Sequence, residues 1–467
     1  MNDIYNLSDE YFSRKEIKEQ AISDLARIVA VNSVASAAEG AYPYGKACAR
    51  ALDTATELAH KYGFRVENHE YHCLSVLYGT PGEEDIPEIG IVCHLDVVPA
   101  GEGWQKDPFV LRRENGLLIG RGSHDDKGPF IQSLYTLRFL RESGIKLPFN
   151  IRLILGSDEE VGGTDLEYFL KVRKPPVFSF TPDSEFPVCI GEKSILGVDI
   201  GFGKLPDGIK EISGGTVSNA VPGRAKAVLE GKRKLEPAEG ITKAYENGDT
   251  AVYAEGKTAH AAMPEAGVNA ISKLIAYLLD NGIICEESRP KYELLRDATG
   301  EYLGNKLGIA AQNDDFGYVT CVGGVIKTVG GEVIQNFNIR HLPENSHEEL
   351  IGNINGAIGG LGIKAEAAGH SEGYHVSADD EKIRALTDAC ESVLGIECKP
   401  YTMGGGTYAR LLPNTVAFGS GIDSQRHFLG DERGNAHQLE EYISESELFD
   451  GMRIYSRALG NLADLFD

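Results

Sequence analysis

Ile89-Gly-Ile-Val-Cys-His-Leu-Asp96 is an apolar run, rich in β-branched residues, that closes on two polar ones. That is the pattern of a buried strand delivering polar groups to the edge of a sheet. Alternate residues of a strand share a face, so His94 and Asp96 point one way while Cys93 and Leu95 point the other. A metal-binding imidazole usually passes its second ring N–H to an outer acceptor that fixes its orientation, and Asp96 is spaced to serve. His-x-Asp alone is a weak signal and fits an ordinary strand end better. The rest of the chain decides.

Two further strands end in the same way. Asn150 to Leu155 leads into Ser157-Asp-Glu-Glu160, and Val177 to Phe180 leads into Thr181-Pro-Asp183. Three strands therefore each place acid or imidazole just past a C-terminal end, where open α/β sheets bind ligands. Between them, Phe109 to Arg113 and Gly116 to Gly120 flank Asn115-Gly116, a hairpin signal because both residues tolerate positive φ. The polar turn Gly120-Arg-Gly-Ser-His-Asp-Asp-Lys-Gly128 follows, and then a helix with Phe130, Leu134, Leu137 and Arg141 in register. Cys93 is expected in the core, Lys127 as compensation for nearby carboxylates, and His69 and His72 as solvated residues of an outer strand. An acidic loop over Pro81 to Pro87 leads into the opening strand.

The 467 residues, 42% hydrophobic and 25% charged, exceed one simple core and predict two or three domains. A formal charge of -24 opposes attraction to nucleic acid or an anionic membrane surface. The eight cysteines form no C-x-x-C, which points to reduced thiols. No apolar run is long enough to span a bilayer and the N-terminus has no signal-like core, so a cytoplasmic protein is expected.

Past Ser194 the texture changes. Ile195 to Gly201, Ala251 to Glu255, Thr320 to Ile326 and Val333 to Ile339 read as strands, with Val268 to Leu279 and Ser346 to Ile358 as helices. Smaller alternating groups of this kind predict an α+β domain. The earlier style returns near Ser377, with a helix from Asp379 to Leu394, a glycine turn at 404–406, a strand at Thr415 to Phe418 and a closing helix from Ser444. The expected organisation is a catalytic α/β domain over 1–193 and 377–467, interrupted by an inserted domain over 194–376.

The polar strand ends gather His94, Asp125 or Asp126, Glu160, Asp183 and, downstream, His437. Two imidazoles and three carboxylates suit Zn²⁺, with Mn²⁺ or Co²⁺ as substitutes, and five ligands suit two ions sharing a carboxylate. Such a pair, about 3.5–4 Å apart, can activate water at neutral pH and hold a carbonyl oxygen. Glu159, beside a ligand and not needed as one, is free to act as general base.

At this point the motifs His94-Leu-Asp96, GRGSHDDKG (120–128), Asp158-Glu-Glu160, TPDSEFP (181–187) and GKTAHAAMPEAGVNA (256–270) resemble, in order and over nearly the whole chain, those of the dinuclear zinc metallopeptidases. That family includes aminoacylases, glutamate carboxypeptidases and carnosinases. The resemblance implies a zinc-exopeptidase αβα sandwich with an inserted α+β lid. It implies His94, Asp125, Glu160, Asp183 and His437 as ligands of two Zn²⁺, with Asp125 bridging and a cis peptide after it. One metal would lie between His94 and Asp183, the other between Glu160 and His437. Asp96 would orient His94, and Glu159 would be the base. On the lid, His260 would stabilise the oxyanion and Asn219 and Arg340 would hold substrate, Arg340 by its terminal carboxylate, with Gly405, Gly406 and Thr407 of the glycine-rich loop assisting.

TPDSEFP, Asn338-Ile-Arg-His341 and the stretch from Ala436 look like the PepV-type bacterial dipeptidases. That branch implies a monomeric hydrolase of unblocked dipeptides with broad side-chain tolerance, β-alanyl dipeptides included. An N-acyl-amino-acid deacylase or carboxypeptidase of the same family is the alternative, and a non-catalytic metal-dependent binding protein is a more distant one.

Overall fold

The computed structural model describes residues 2–79, 86–422, 424, 427–430 and 433–466. Residues 81–85 of the acidic loop lie outside them. The chain divides into two compact units, one of residues 1–190, 376–401 and 406–467, the other of residues 191–375 and 402–405.

The first unit is an αβα sandwich. Four parallel strands form the centre of its sheet, in the order Asn150–Gly156, Glu88–His94, Phe178–Thr181 and Thr415–Ala417. The antiparallel pair Arg65–His69 and Cys73–Tyr78 extends the sheet beyond Asn150–Gly156. From Glu88–His94 the chain goes first to the neighbour on one side, at 150–156, and then to the neighbour on the other, at 178–181. Glu88–His94 therefore lies at the topological switch, and the crevice past its C-terminal end is where such sheets hold ligands.

The two faces of this strand show why it is buried. Val92 packs with Leu166, Phe169 and Tyr408 on one side, while Cys93 lies with its Sγ 3.7 Å from Ser133 Oγ of the Lys127–Glu142 helix on the other. Helices Lys127–Glu142, Glu381–Leu394 and Glu445–Ala463 pack together. The last begins with a reciprocal capping box between Ser444 and Glu447.

A short strand missed in the sequence reading accounts for the return of His437. Tyr442–Ser444 pairs with Leu117–Ile119, the second strand of the Asn115-Gly116 hairpin. This pairing brings the 437–441 segment alongside the 120–126 turn. Asn115 and Gly116 have φ of 53° and 78°, as the turn requires.

The second unit is an α+β fold. Its eight-stranded sheet is antiparallel, with Ser194–Lys204 between Glu332–His341 and the edge strand Lys364–Ser371. Leu196, Val198, Ile200 and Phe202 alternate inward from Ser194–Lys204 and meet Ile271, Leu274 and Leu278 of helix Ala270–Asp280. Ile354 of helix His347–Ile358 joins the same core. Helix Arg289–Gly300 and strands Ile209–Gly214, Arg224–Leu229 and Lys364–Ser371 went unread in the sequence.

One expectation is corrected. His69 is not solvated: it is 6% exposed, its Nε2 lies 2.9 Å from Ser75 Oγ, and burial pulls its pKa down to about 4. His72 is half-buried, stacked on Tyr168 and bonded to the Tyr44 hydroxyl.

Candidate active site

Past the ends of the parallel strands the first unit brings together His94, Asp96, Asp125, Glu159, Glu160, Asp183 and His437. Asp125 is the hinge of the cluster. Its Oδ1 lies 2.9 Å from His94 Nε2, and its Oδ2 lies 3.1 Å from His437 Nε2. His437 Nε2 is also 3.0 Å from Glu160 Oε2, and Asp183 Oδ1 is 3.9 Å from His94 Nε2. Ligand atoms of His94, Asp125 and Glu160 fall within 4.8 Å of one another, as do those of His94, Glu159 and Asp183.

The peptide between Asp125 and Asp126 is cis. Glu441, buried, accepts the backbone N–H groups of His124 and Asp125 through Oε1, each at 3.0 Å. Its other oxygen accepts from Arg121, which is 1% exposed and also donates to the His437 carbonyl at 3.2 Å. One ion pair thus holds both the Asp125 turn and the segment carrying His437. His437 itself has φ of 65°, a conformation few side chains adopt.

Asp96 does more than the sequence reading assigned it. The Nδ1–H of His94 donates to the Asp96 backbone carbonyl at 3.0 Å, closer than the 3.4 Å to its carboxylate. The carboxylate instead accepts the backbone N–H groups of Glu159 at 3.3 Å and Glu160 at 3.1 Å. It therefore sets two strand ends at once. Behind them Asp165 accepts from the N–H groups of Ser157 and Asp158, at 2.6 and 3.0 Å, and from the Tyr408 hydroxyl at 2.5 Å. Sequence reasoning missed Asp165, Tyr408, Arg121 and Glu441; the doublet Glu440-Glu441 beside His437 was the one available signal.

The electrostatics call for cations. Burial, then neighbouring carboxylates, push Asp183 and Glu159 well above the usual carboxylate range and raise Glu160 as well. Burial would raise Asp125 too, but the two imidazoles outweigh it and hold its pKa well down. His437 is pulled up to about 11 by Asp125 and Glu160. Lys127 does not neutralise the cluster by contact, because its Nζ donates to the Val31 carbonyl at 2.7 Å. With Nδ1–H of His94 committed to a carbonyl, Nε2 offers a lone pair toward a carboxylate 2.9 Å away, an arrangement that needs a proton or a metal ion between them. Two imidazoles among several carboxylates are a donor set that fits borderline divalent ions.

Peptidase family M20/M25/M40 matches the chain over residues 90–461. The chain belongs to this family. The M20 peptidase is 30% identical over 468 residues to a Bacillus subtilis (strain 168) protein named "Putative dipeptidase YtjP", covering 96% of this chain and 98% of that one. Its fold is similar to that of Dug1p, a di-peptidase from Saccharomyces cerevisiae, with a TM-score of 0.59, 15% identity and coverage of 99% and 98%. It is also similar to YXEP of Bacillus subtilis, described as a dinuclear metal binding peptidase, with a TM-score of 0.52, 12% identity and coverage of 97% and 99%.

The other residues expected at the site of the M20 peptidase fall mainly in the inserted unit. Ala220 pairs with His260 across a two-stranded ribbon, and the Asn219 carbonyl accepts the Ala261 N–H at 2.9 Å, so Asn219 and His260 are neighbours. Arg340 is 5% exposed; its Nε donates to Asn338 Oδ1 at 2.9 Å and its Nη1 to the Gly404 carbonyl at 3.1 Å. The glycine-rich loop straddles the division, with Gly405 in the inserted unit and Gly406 and Thr407 in the first. Thr407 caps the short helix Tyr408–Arg410 by accepting the Ala409 N–H. Among the described residues, no helix is long and apolar enough to cross a membrane.

Proposed function

We propose that this M20 peptidase is a dipeptidase that hydrolyses unblocked dipeptides with broad side-chain tolerance, β-alanyl dipeptides included, and that it works as a monomer in the cytoplasm. The observation that carries the reading is the pairing of Asp125 with two histidines through its two oxygens, with the Glu159 carboxylate beside His94 and Asp183. The dipeptidase name of the Bacillus subtilis relative supports the substrate class. Eight cysteines, none of them in a disulfide, support a reducing compartment.

Two Zn²⁺ ions, with Mn²⁺ or Co²⁺ as substitutes, would be held by His94 and Asp183 and by Glu160 and His437, with Asp125 shared. When bound, such a pair activates water and polarises a carbonyl. Glu159 takes the proton from the attacking water and delivers it to the leaving amine nitrogen. Its buried carboxyl, raised by its surroundings and its acidic neighbours, suits a base that must also give the proton back. Asp96 keeps this base in place through the backbone of Glu159 and Glu160.

The roles of the inserted unit are part of the proposal. The His260 imidazole would donate to the oxyanion as negative charge develops there. The Arg340 guanidinium, whose plane is set by Asn338 and Gly404, would grip the C-terminal carboxylate. Asn219 and the backbone of Gly405, Gly406 and Thr407 would complete the hold on substrate.

Hydrolysis of Leu-Gly and β-Ala-His, their N-acetylated forms and a tripeptide by the zinc- or manganese-loaded protein tests the reading. Cleavage confined to the free dipeptides is expected. Preference for the acetylated compounds would replace it with a deacylase.

A further inference from the structure

The inserted unit carries a second group of potential metal ligands. His370 stands near the end of the edge strand Lys364–Ser371, Glu372 directly follows that strand, and His347 is the first residue of helix His347–Ile358. The two imidazoles stack, with centroids 3.9 Å apart and planes at 18°. Both aim a ring nitrogen at one oxygen: His347 Nδ1 is 3.6 Å and His370 Nε2 is 3.8 Å from Glu372 Oε1. All three donor atoms lie within 4.8 Å of one another.

A tetrahedral ion with bonds of about 2.0–2.1 Å needs its donors about 3.3 Å apart. These side chains are 24%, 45% and 60% exposed, so small rotations close the difference. His347 also has an outer partner. Its Nε2 lies 3.2 Å from Glu348 Oε1, and its Nδ1 is the ring nitrogen nearer Glu372. A carboxylate beside the far nitrogen of an imidazole is a common companion of metal ligation.

We propose that the inserted unit binds one borderline divalent transition-metal ion, of the Zn²⁺, Ni²⁺ or Cu²⁺ class, through His347 Nδ1, His370 Nε2 and Glu372 Oε1. Two imidazoles and one carboxylate select these ions over Mg²⁺ and Ca²⁺, which take oxygen ligands. The ion ties the edge strand to the helix at one end; at the other, the Asn355 side chain already bonds to both backbone groups of Ala365, at 2.9 and 3.1 Å. In the sheet, Ile195 lies between Ser371 and Arg340, so the stapled edge is one strand removed from the strand that carries Arg340.

The test is calorimetric titration of Ni²⁺ into untagged protein whose active-site positions are already filled. The wild type is expected to take up one more ion than the His347→Ala/His370→Ala double variant, and its thermal midpoint should rise with Ni²⁺ where the variant's does not. Glu372→Gln should weaken this uptake at least tenfold, and His375→Ala, outside the trio, should leave it unchanged. Equal Ni²⁺ stoichiometry in the wild type and the double variant would overturn the proposal.

Discussion

His437 Nε2 stands 3.1 Å from Asp125 Oδ2, although the inserted unit separates the two residues in the chain. The contact is made possible by the Tyr442–Ser444 strand, which pairs with Leu117–Ile119 and lays the His437 segment beside the Gly120–Gly128 turn. The proposed second metal position therefore depends on a residue whose placement is tertiary.

His437→Ala should lower the metal content of the loaded enzyme from two ions per chain to one and cut turnover by at least a hundredfold. Far-UV circular dichroism should be unchanged, because the His437 side chain is half-exposed. Elemental analysis of the purified variant checks this.

Glu441→Ala should be among the most damaging substitutions outside the ligand set. It strands the buried Arg121 and frees two backbone N–H groups at the cis turn. The expected loss is about 3–5 kcal/mol, read by denaturant unfolding, with weaker metal retention. Glu441→Gln, which keeps an acceptor for both N–H groups, should lose less.

These supports explain how far the sequence could be read. His94, Glu160 and Asp183 follow strand ends within one α/β half, where alternation announces them, while the glycine-rich turn offers Asp125 or Asp126 and only the family resemblance chooses Asp125. Arg121, Glu441, Asp165 and Tyr408 give no such signal, since a buried charge looks the same in sequence as a solvated one until its partner is placed. Likewise His69 reads as a polar residue of an outer strand, yet the Gly45–Lys61 and Thr164–Val172 helices pack against this end of the sheet. The inserted unit's main strands and two of its helices were legible from period. Helix Arg289–Gly300 was not, because only one face of a charged sequence is buried.

Gly156→Ala should destabilise the protein by about 1–3 kcal/mol. A Cβ there would come 2.0 Å from the Tyr408 hydroxyl and 2.4 Å from Asp165 Oδ2. Tyr408→Phe removes one of the two clashing groups and should make the Gly156→Ala cost smaller in the double variant than in the single, a comparison that thermal unfolding can make.

His69 gives a pH dependence of definite sign. Its folded pKa is about 4 against an ordinary 6.5, with burial the main cause and Arg152 and Arg173 adding to it. Above pH 6.5 neither the folded nor the unfolded chain is protonated at this site and its full contribution is present. Between 6.5 and 4 the unfolded chain binds a proton that the folded one refuses, so stability falls as the pH falls, by about 3 kcal/mol at most. His69→Gln should flatten that part of the stability profile relative to the wild type.

The most direct test of the catalytic account is the turnover of metal-loaded Glu159→Ala on a free dipeptide, with metal content determined on the same sample. The account predicts two ions per chain and a rate reduced by about 10²–10⁴-fold. Loss of an ion would make Glu159 a ligand, and a rate close to wild type with both ions present would remove it as the base.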